Sequence, residues 1–342
     1  MQKTFKLSDV YWTLVWLIAK IAYTIVPVPL LFLWARAKGF LLSFVSKERF
    51  AVKENLVKVF GHEKNDKEIR RIARRHFEHL QRLQLSKIWH KIQGHAYANR
   101  CPAEGLPHLD AALRHGKGAI LLTAHFGYSR QIRHFLRLRH YQAWIVGSQL
   151  PKDRPDPLTQ FGRFVHDRLL KIPEFVPAQE NDLPTGLNVR PLVQALQRNE
   201  IVILTADGLR SSSVIEGRLL GVRTAFATGS VSLARGTGAP ILPAFVVDSG
   251  EGLIGLKLCI ETPLALQQTA NPKADCRANL EQFARVFEDY IKRYPHLSRW
   301  TKREFFGKRY KALKAEVADR YAGHFKARKA AMAAHAVEFN AE

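Results

Sequence analysis

Two apolar runs in this chain stop on a titratable side chain. The run "AILLTA" delivers His125, and "IVILT" leads through Ala206 to Asp207. A neutral histidine can take a proton from an attacking hydroxyl at ordinary pH, provided another group fixes its tautomer and orientation. The usual holder is a carboxylate. His125 is followed by Phe-Gly-Tyr-Ser and then by the start of a helix carrying Arg130 and Arg133. Ser129 lies close by, but its surroundings are not a G-x-S-x-G elbow, so the sequence names no covalent nucleophile and direct transfer is the simpler chemistry. His76 and His79 stand three apart on a helical pattern without a third ligand, and Cys101, Cys259 and Cys276 form no C-x-x-C pair. No metal site, disulfide framework or bound cofactor is therefore expected, and the cysteine usage points to a reducing compartment.

The elements that must position these residues follow from the hydrophobic pattern. From about residue 100 short apolar runs alternate with amphipathic segments, and 118–124, 143–147, 201–207, 239–247 and 253–260 read as strands. Between them "RPLVQALQRNE" and "FATGSVSLARGTG" read as helices. Runs without polar alternation are those of strands covered on both faces, which predicts an α/β fold with a mixed or parallel sheet flanked by helices. In such sheets ligands gather at the carboxyl ends of the strands, where His125 and Asp207 both fall.

Outside that domain, 10–34 is apolar apart from Lys20 and long enough to span a bilayer. The expected organisation is a membrane-embedded segment over 1–45, a helical lead-in over 46–98, the α/β domain over 99–300 and a basic tail over 301–342. The lead-in reads as two amphipathic helices split at Gly61 to Asn65. The tail reads either as a solvated terminal helix or as a basic amphipathic segment resting on anionic headgroups. With 53 basic against 30 acidic residues the chain carries +23 and will attract anions. No helix-turn-helix, zinc finger or RNP-like motif accompanies that charge, and a nucleic-acid partner leaves the apolar N-terminus without a role.

Taken together, the apolar N-terminus, "KENLVKVFGHEKNDKEIRRIARRHF", "LLTAHFGYSR", "EIVILTADG", "GRLLGVRTAFATGSVSLARGTGAPILPAFVV" and "FEDYIKRYPHLSRWTKREF" resemble the bacterial lipid A late acyltransferases, a branch of the lysophospholipid acyltransferase superfamily. The resemblance implies an inner-membrane enzyme with its α/β domain on the cytoplasmic side. Such an enzyme transfers an acyl chain from acyl carrier protein or coenzyme A to a hydroxyl of a membrane lipid. It also implies an H-x4-E motif in which the histidine is the base. His125 matches that histidine, and Gly127 matches the small residue of the following turn. Asp207 matches an acidic position after its strand. Arg168, with Arg163 as the neighbouring choice, falls near the family's phosphate-contacting arginine, and Arg223 lies in a segment that the family places along the substrate wall.

One position departs from the pattern. Arg130 occupies the motif's glutamate position, and a guanidinium can neither accept the imidazole N–H nor favour the imidazolium. Three explanations stand at this level. Asp207 orients His125 from the neighbouring strand end; Arg130 and Arg133 bind a phosphate of donor or acceptor; or the site is inactive and the protein holds lipid without reacting. If the site reacts, the tetrahedral oxyanion is expected to be met by backbone N–H groups of the Phe126 to Ser129 turn or by a nearby arginine.

Overall fold

The computed structural model describes residues 21, 25–98, 101–147, 182–184, 189–207, 213–248 and 255–301. Nine strands are formed among them: β1 (Ala103–Glu104), β2 (Ala119–Thr123), β3 (Ala143–Gly147), β4 (Asp182–Pro184), β5 (Ile201–Thr205), β6 (Val214–Leu219), β7 (Val222–Ala227), β8 (Ile241–Asp248) and β9 (Leu256–Ile260). Seven build one sheet in the order β1-β9-β8-β2-β5-β3-β4, parallel except where β9 runs against β8. Every residue of β2 is buried, as are the first seven of β8. That is the environment the unbroken apolar runs predict, and the helices α4 (Leu106–Leu113), α5 (Gln131–Arg137), α6 (Arg190–Gln197), α7 (Gly229–Thr237) and α8 (Pro272–Arg293) lie between and after the strands.

The sequence pattern missed the β6–β7 hairpin. The run "FATGSVSLARGTG" divides, its first two residues ending β7 and the helix starting only at Gly229. The hairpin turns on Leu220 and Gly221, both left-handed (φ 52 and 74°), and a leucine there lacks the Asn-Gly or Asp-Gly signature of such turns. Its backbone N–H is held by the Glu288 carboxylate on α8, so a tertiary contact supports a conformation that local preference opposes.

Ahead of the sheet lie α1 (Val28–Val45), α2 (Arg49–Phe60) and α3 (Asp66–Ala98), and the expected break at 61–65 separates the last two. Asn65 and Glu68 cap α3 reciprocally, each side chain accepting from the other's backbone N–H at 3.0 Å. Helix α1 packs along the polar α3 so closely that a Cβ on Gly39 would lie 2.5 Å from the Glu78 Cα. Phe32 and Ala35 are buried on that side, whereas Leu30, Leu33, Trp34, Leu41 and Phe44 are exposed.

Among the described residues no single helix is long and apolar enough to cross a membrane. The span 29–45 and α2 qualify by composition only as a pair bent by 86°. The membrane-embedded segment expected over 1–45 is described mainly from Ile25 onward, where Pro27 is extended and α1 starts after it. Most of the 10–26 stretch lies outside the described residues, as does the basic tail beyond Thr301.

A cluster of buried histidines joins this helical layer to the sheet. His76 and His79 on α3 and His296 in the 3-10 turn Pro295–Leu297 are each less than one-tenth exposed. His76 Nδ1 donates to the His296 carbonyl at 2.9 Å, and the His79 ring meets Tyr128 edge-on at 5.0 Å. Burial lowers the pKa of His76 and of His296 from 6.5 to about 4, and burial also pushes His79 well down. His76 and His79 thus pack α3 against the 3-10 turn and Tyr128.

Candidate active site

The register of the central strands brings His125 and Asp207 together. In the parallel β2–β5 ladder Thr123 lies opposite Thr205, so positions 125 and 207 follow at the same offset on adjacent strands. The Ala206 N–H continues the ladder to the Thr123 carbonyl at 2.7 Å. Asp207 then receives the backbone N–H of His125 at 3.0 Å, and its carboxylate oxygens both lie 2.6 Å from His125 Nδ1. Because a carboxylate only accepts, the proton sits on Nδ1, and Nε2 carries the lone pair. The His125 side chain is 40% exposed while that of Asp207 is 16% exposed, which sets a buried carboxylate behind a ring that meets solvent.

Burial presses the Asp207 pKa upward, but the charge and the two hydrogen bonds of His125, with the Arg299 guanidinium nearby, outweigh it and hold the group below the usual aspartate value. It is therefore an anion at neutral pH. An ionised carboxylate bonded to Nδ1–H favours the imidazolium that forms when Nε2 takes a proton. That is general-base geometry.

The turn after His125 is fixed by long-range contacts. Gly127 adopts φ 51°, and a Cβ there would lie 2.4 Å from the Val246 carbonyl oxygen of β8. Phe126 is buried against Phe287 and Phe245, with ring centroids 5.5 and 6.0 Å away. The backbone donors of this turn are all engaged within the protein: Phe126 N–H to Ala124, Gly127 N–H to Leu297, Tyr128 N–H to Val246 and Ser129 N–H to Phe126, at 2.7 to 3.2 Å. The expectation that these N–H groups meet an oxyanion is thereby corrected. They hold the turn against β8 and the 3-10 turn, and an arginine is the alternative that remains.

Replacing Gly127 by alanine should test how far this turn matters. Left-handed strain plus contact with a backbone oxygen that cannot swing away is expected to cost about 2 kcal/mol or more in a urea unfolding titration. Loss of activity should accompany it.

The other sequence-predicted residues are placed as follows. Arg130 stands exposed at the start of α5 and has no part in holding the His125 ring; Arg133 lies one turn further on, partly buried. Arg223 pairs with Glu216 at 3.4 Å and is 72% exposed near the hairpin turn. The end of its strand that touches Ala206 is Ala227, roughly 13 Å of extended chain away, so Arg223 is not brought to the dyad. Arg163 and Arg168 lie outside the described residues. Leu297 and Val246, which hold the turn after His125, were not singled out from the sequence, nor was Arg299, whose charge acts on Asp207. Only the closing segment "YPHLSRW" pointed to that part of the chain.

Comparison with known proteins finds acyltransferases. Phosphatidylinositol mannoside acyltransferases from two strains of Mycobacterium tuberculosis, CDC 1551 / Oshkosh and H37Rv, are each 32% identical to it over 148 residues, 43% of this chain and 44% of the relative. The chain thus spans less than half the length of these relatives. The sequence profile described as bacterial lipid A biosynthesis acyltransferase covers far more, matching residues 2–306. With a match over nearly its whole length, the chain belongs to the bacterial lipid A biosynthesis acyltransferase family.

Proposed function

We propose that this protein is a membrane-bound O-acyltransferase that moves a fatty acyl chain from acyl carrier protein or acyl-coenzyme A to a hydroxyl of a membrane glycolipid. The observation that carries the reading is the His125–Asp207 dyad. In the reaction, His125 Nε2 takes the proton of the acceptor hydroxyl, whose oxygen bonds to the thioester carbonyl carbon. The carbonyl electron pair moves onto oxygen and returns as the C–S bond breaks, and the imidazolium gives its proton to the departing thiolate. Asp207 keeps the ring in the required tautomer throughout. It does from β5 what the motif glutamate would do from α5, which is why arginine at position 130 is compatible with catalysis.

A lipid A-type acceptor is suggested by the family, and a mannoside lipid by the names of the relatives; both offer sugar hydroxyls beside phosphate. The exposed apolar side of α1, flanked by Arg36, Lys38, Lys47 and Arg49, supports attachment to an anionic bilayer. We place the protein on the cytoplasmic face of a bacterial inner membrane, where the +23 chain would also attract the acidic acyl carrier protein.

The test is acyl transfer by detergent-purified protein from labelled acyl carrier protein and acyl-coenzyme A into a bacterial lipid extract containing lipid A precursors and phosphatidylinositol mannosides. Wild type should label one lipid class and His125→Ala none. Absence of labelling by wild type, with a known family enzyme active in the same extract, would favour a lipid-binding relative without activity.

A further inference from the structure

We infer that His76 is a positioning residue for the proposed base: its imidazole fixes the 3-10 turn Pro295–Leu297, and that turn fixes the catalytic turn that follows His125. The inference rests on the transfer reaction proposed above. A base must stand within hydrogen-bond reach of the hydroxyl it deprotonates, and a displacement of about 1 Å can cost up to about 100-fold in rate.

Beyond the dyad itself, two long-range hydrogen bonds hold the chain that follows His125. Tyr128 N–H reaches the Val246 carbonyl and Gly127 N–H the Leu297 carbonyl, each at 3.0 Å. Val246 belongs to β8, which lies between β2 and β9 in the sheet. Leu297 has no such ladder. It ends a 3-10 turn of three residues, a form too short to be rigid by its own bonds. Its support comes from α3. His76 Nδ1 donates at 2.9 Å to the His296 carbonyl, one peptide ahead of the carbonyl that accepts from Gly127. From the same helix His79 sets its ring edge-on to that of Tyr128, with centroids 5.0 Å apart. Helix α3 thus touches the catalytic turn directly at Tyr128 and, through the 3-10 turn, at Gly127.

The presence of a histidine at this place is itself informative. His76 is 0% exposed, and its Nε2 has no hydrogen-bond partner among the described residues. An apolar ring would fill the place without burying an acceptor that these residues leave unbonded, so what a histidine adds here is the bond from Nδ1–H. Burial keeps the ring neutral, with its one N–H committed to the carbonyl.

The experiment compares wild type with His76→Phe and His76→Asn as full-length, detergent-purified protein. Phenylalanine keeps a ring and deletes the donor, whereas asparagine keeps an N–H close to where Nδ1 stands. In steady-state acyl transfer His76→Phe should lose about tenfold in kcat with KM nearly unchanged, and His76→Asn should recover to within about threefold of wild type. A readout without turnover is the His125 Nδ1–H proton, which resonates far downfield when bonded to a carboxylate and is assigned by its loss in His125→Ala. It should shift or broaden in His76→Phe and return in His76→Asn. Thermal melting follows the fold, and His76→Leu stands in if the larger ring prevents folding. A folded variant without the donor that keeps wild-type kcat, equal impairment of the Phe and Asn variants, an effect confined to KM, an unmoved downfield proton, or failure of both the Phe and Leu variants to fold would each overturn the assignment. A wild type that transfers no acyl chain while its downfield proton responds as expected would sink the proposed reaction and leave the positioning role standing.

Discussion

His125→Ala is expected to lower kcat for acyl transfer by about 1,000-fold or more, and Asp207→Asn by about 100- to 1,000-fold, with KM changed little in either. The first removes the atom that receives the hydroxyl proton. The second keeps the shape of the partner while deleting its charge, so the imidazolium formed on proton transfer is no longer matched. An asparagine must also serve both the His125 backbone N–H and its Nδ1–H with a single amide oxygen, whereas the carboxylate shares those contacts between two. Arg130→Ala supplies the contrast. Position 130 does not hold the ring, so this variant should act on KM rather than on kcat. A kcat for Arg130→Ala as low as that of Asp207→Asn would show that the motif position retains the catalytic role and that the dyad has been misread.

Acid should destabilise the protein steeply through the buried histidines. In the folded protein His76 and His296 have pKa values of about 4, against 6.5 for the ordinary group. Unfolding frees them to bind protons, so between these values the unfolded state carries more protons than the native one. Stability is then complete above 6.5 and falls as the pH drops toward 4. Each such histidine is worth about 3 kcal/mol across that window, and His79 acts in the same direction. The charges facing the cluster are Arg75 and Arg82 from α3 and Asp248 from β8; two of the three are cationic, which adds to the cost of protonation. Urea titrations between about pH 7 and pH 4.5 should show the unfolding free energy dropping with a slope of more than one proton, and His76→Gln should flatten it. A flat profile in wild type would mean that the three rings titrate as if solvated.

The sheet was legible because its central strands are buried on both faces, and runs such as "AILLT" and "IVILT" have few other uses at that length. The base and its partner were legible as types, each following a strand. Their pairing stood as one of three explanations, and the structure selects it by laying β5 rather than β3 beside β2. The matched endings "LTAH" and "LTAD" carry a hint, since strands paired in register through both threonines would place the following residues side by side. The role of the turn could not be read at all. Its N–H partners, Leu297 and Val246, come from distant parts of the chain. Locally the turn looks like a ready anion cradle, and only tertiary folding shows that its donors are spent. Hairpin β6–β7 stayed hidden for a related reason: Leu220 holds a turn conformation that its own side chain opposes and that Glu288 supports from afar.

The alignment of β2 with β5 makes catalysis a test of alignment itself. Side chains alternate across a sheet, so a slip of one residue would present Ala206 to His125 and turn the carboxylate toward the opposite layer. No half-aligned form would work at half speed. A preparation of low specific activity would then be a mixture of fully competent and silent molecules, and titrating the competent ones would count correctly zipped sheets.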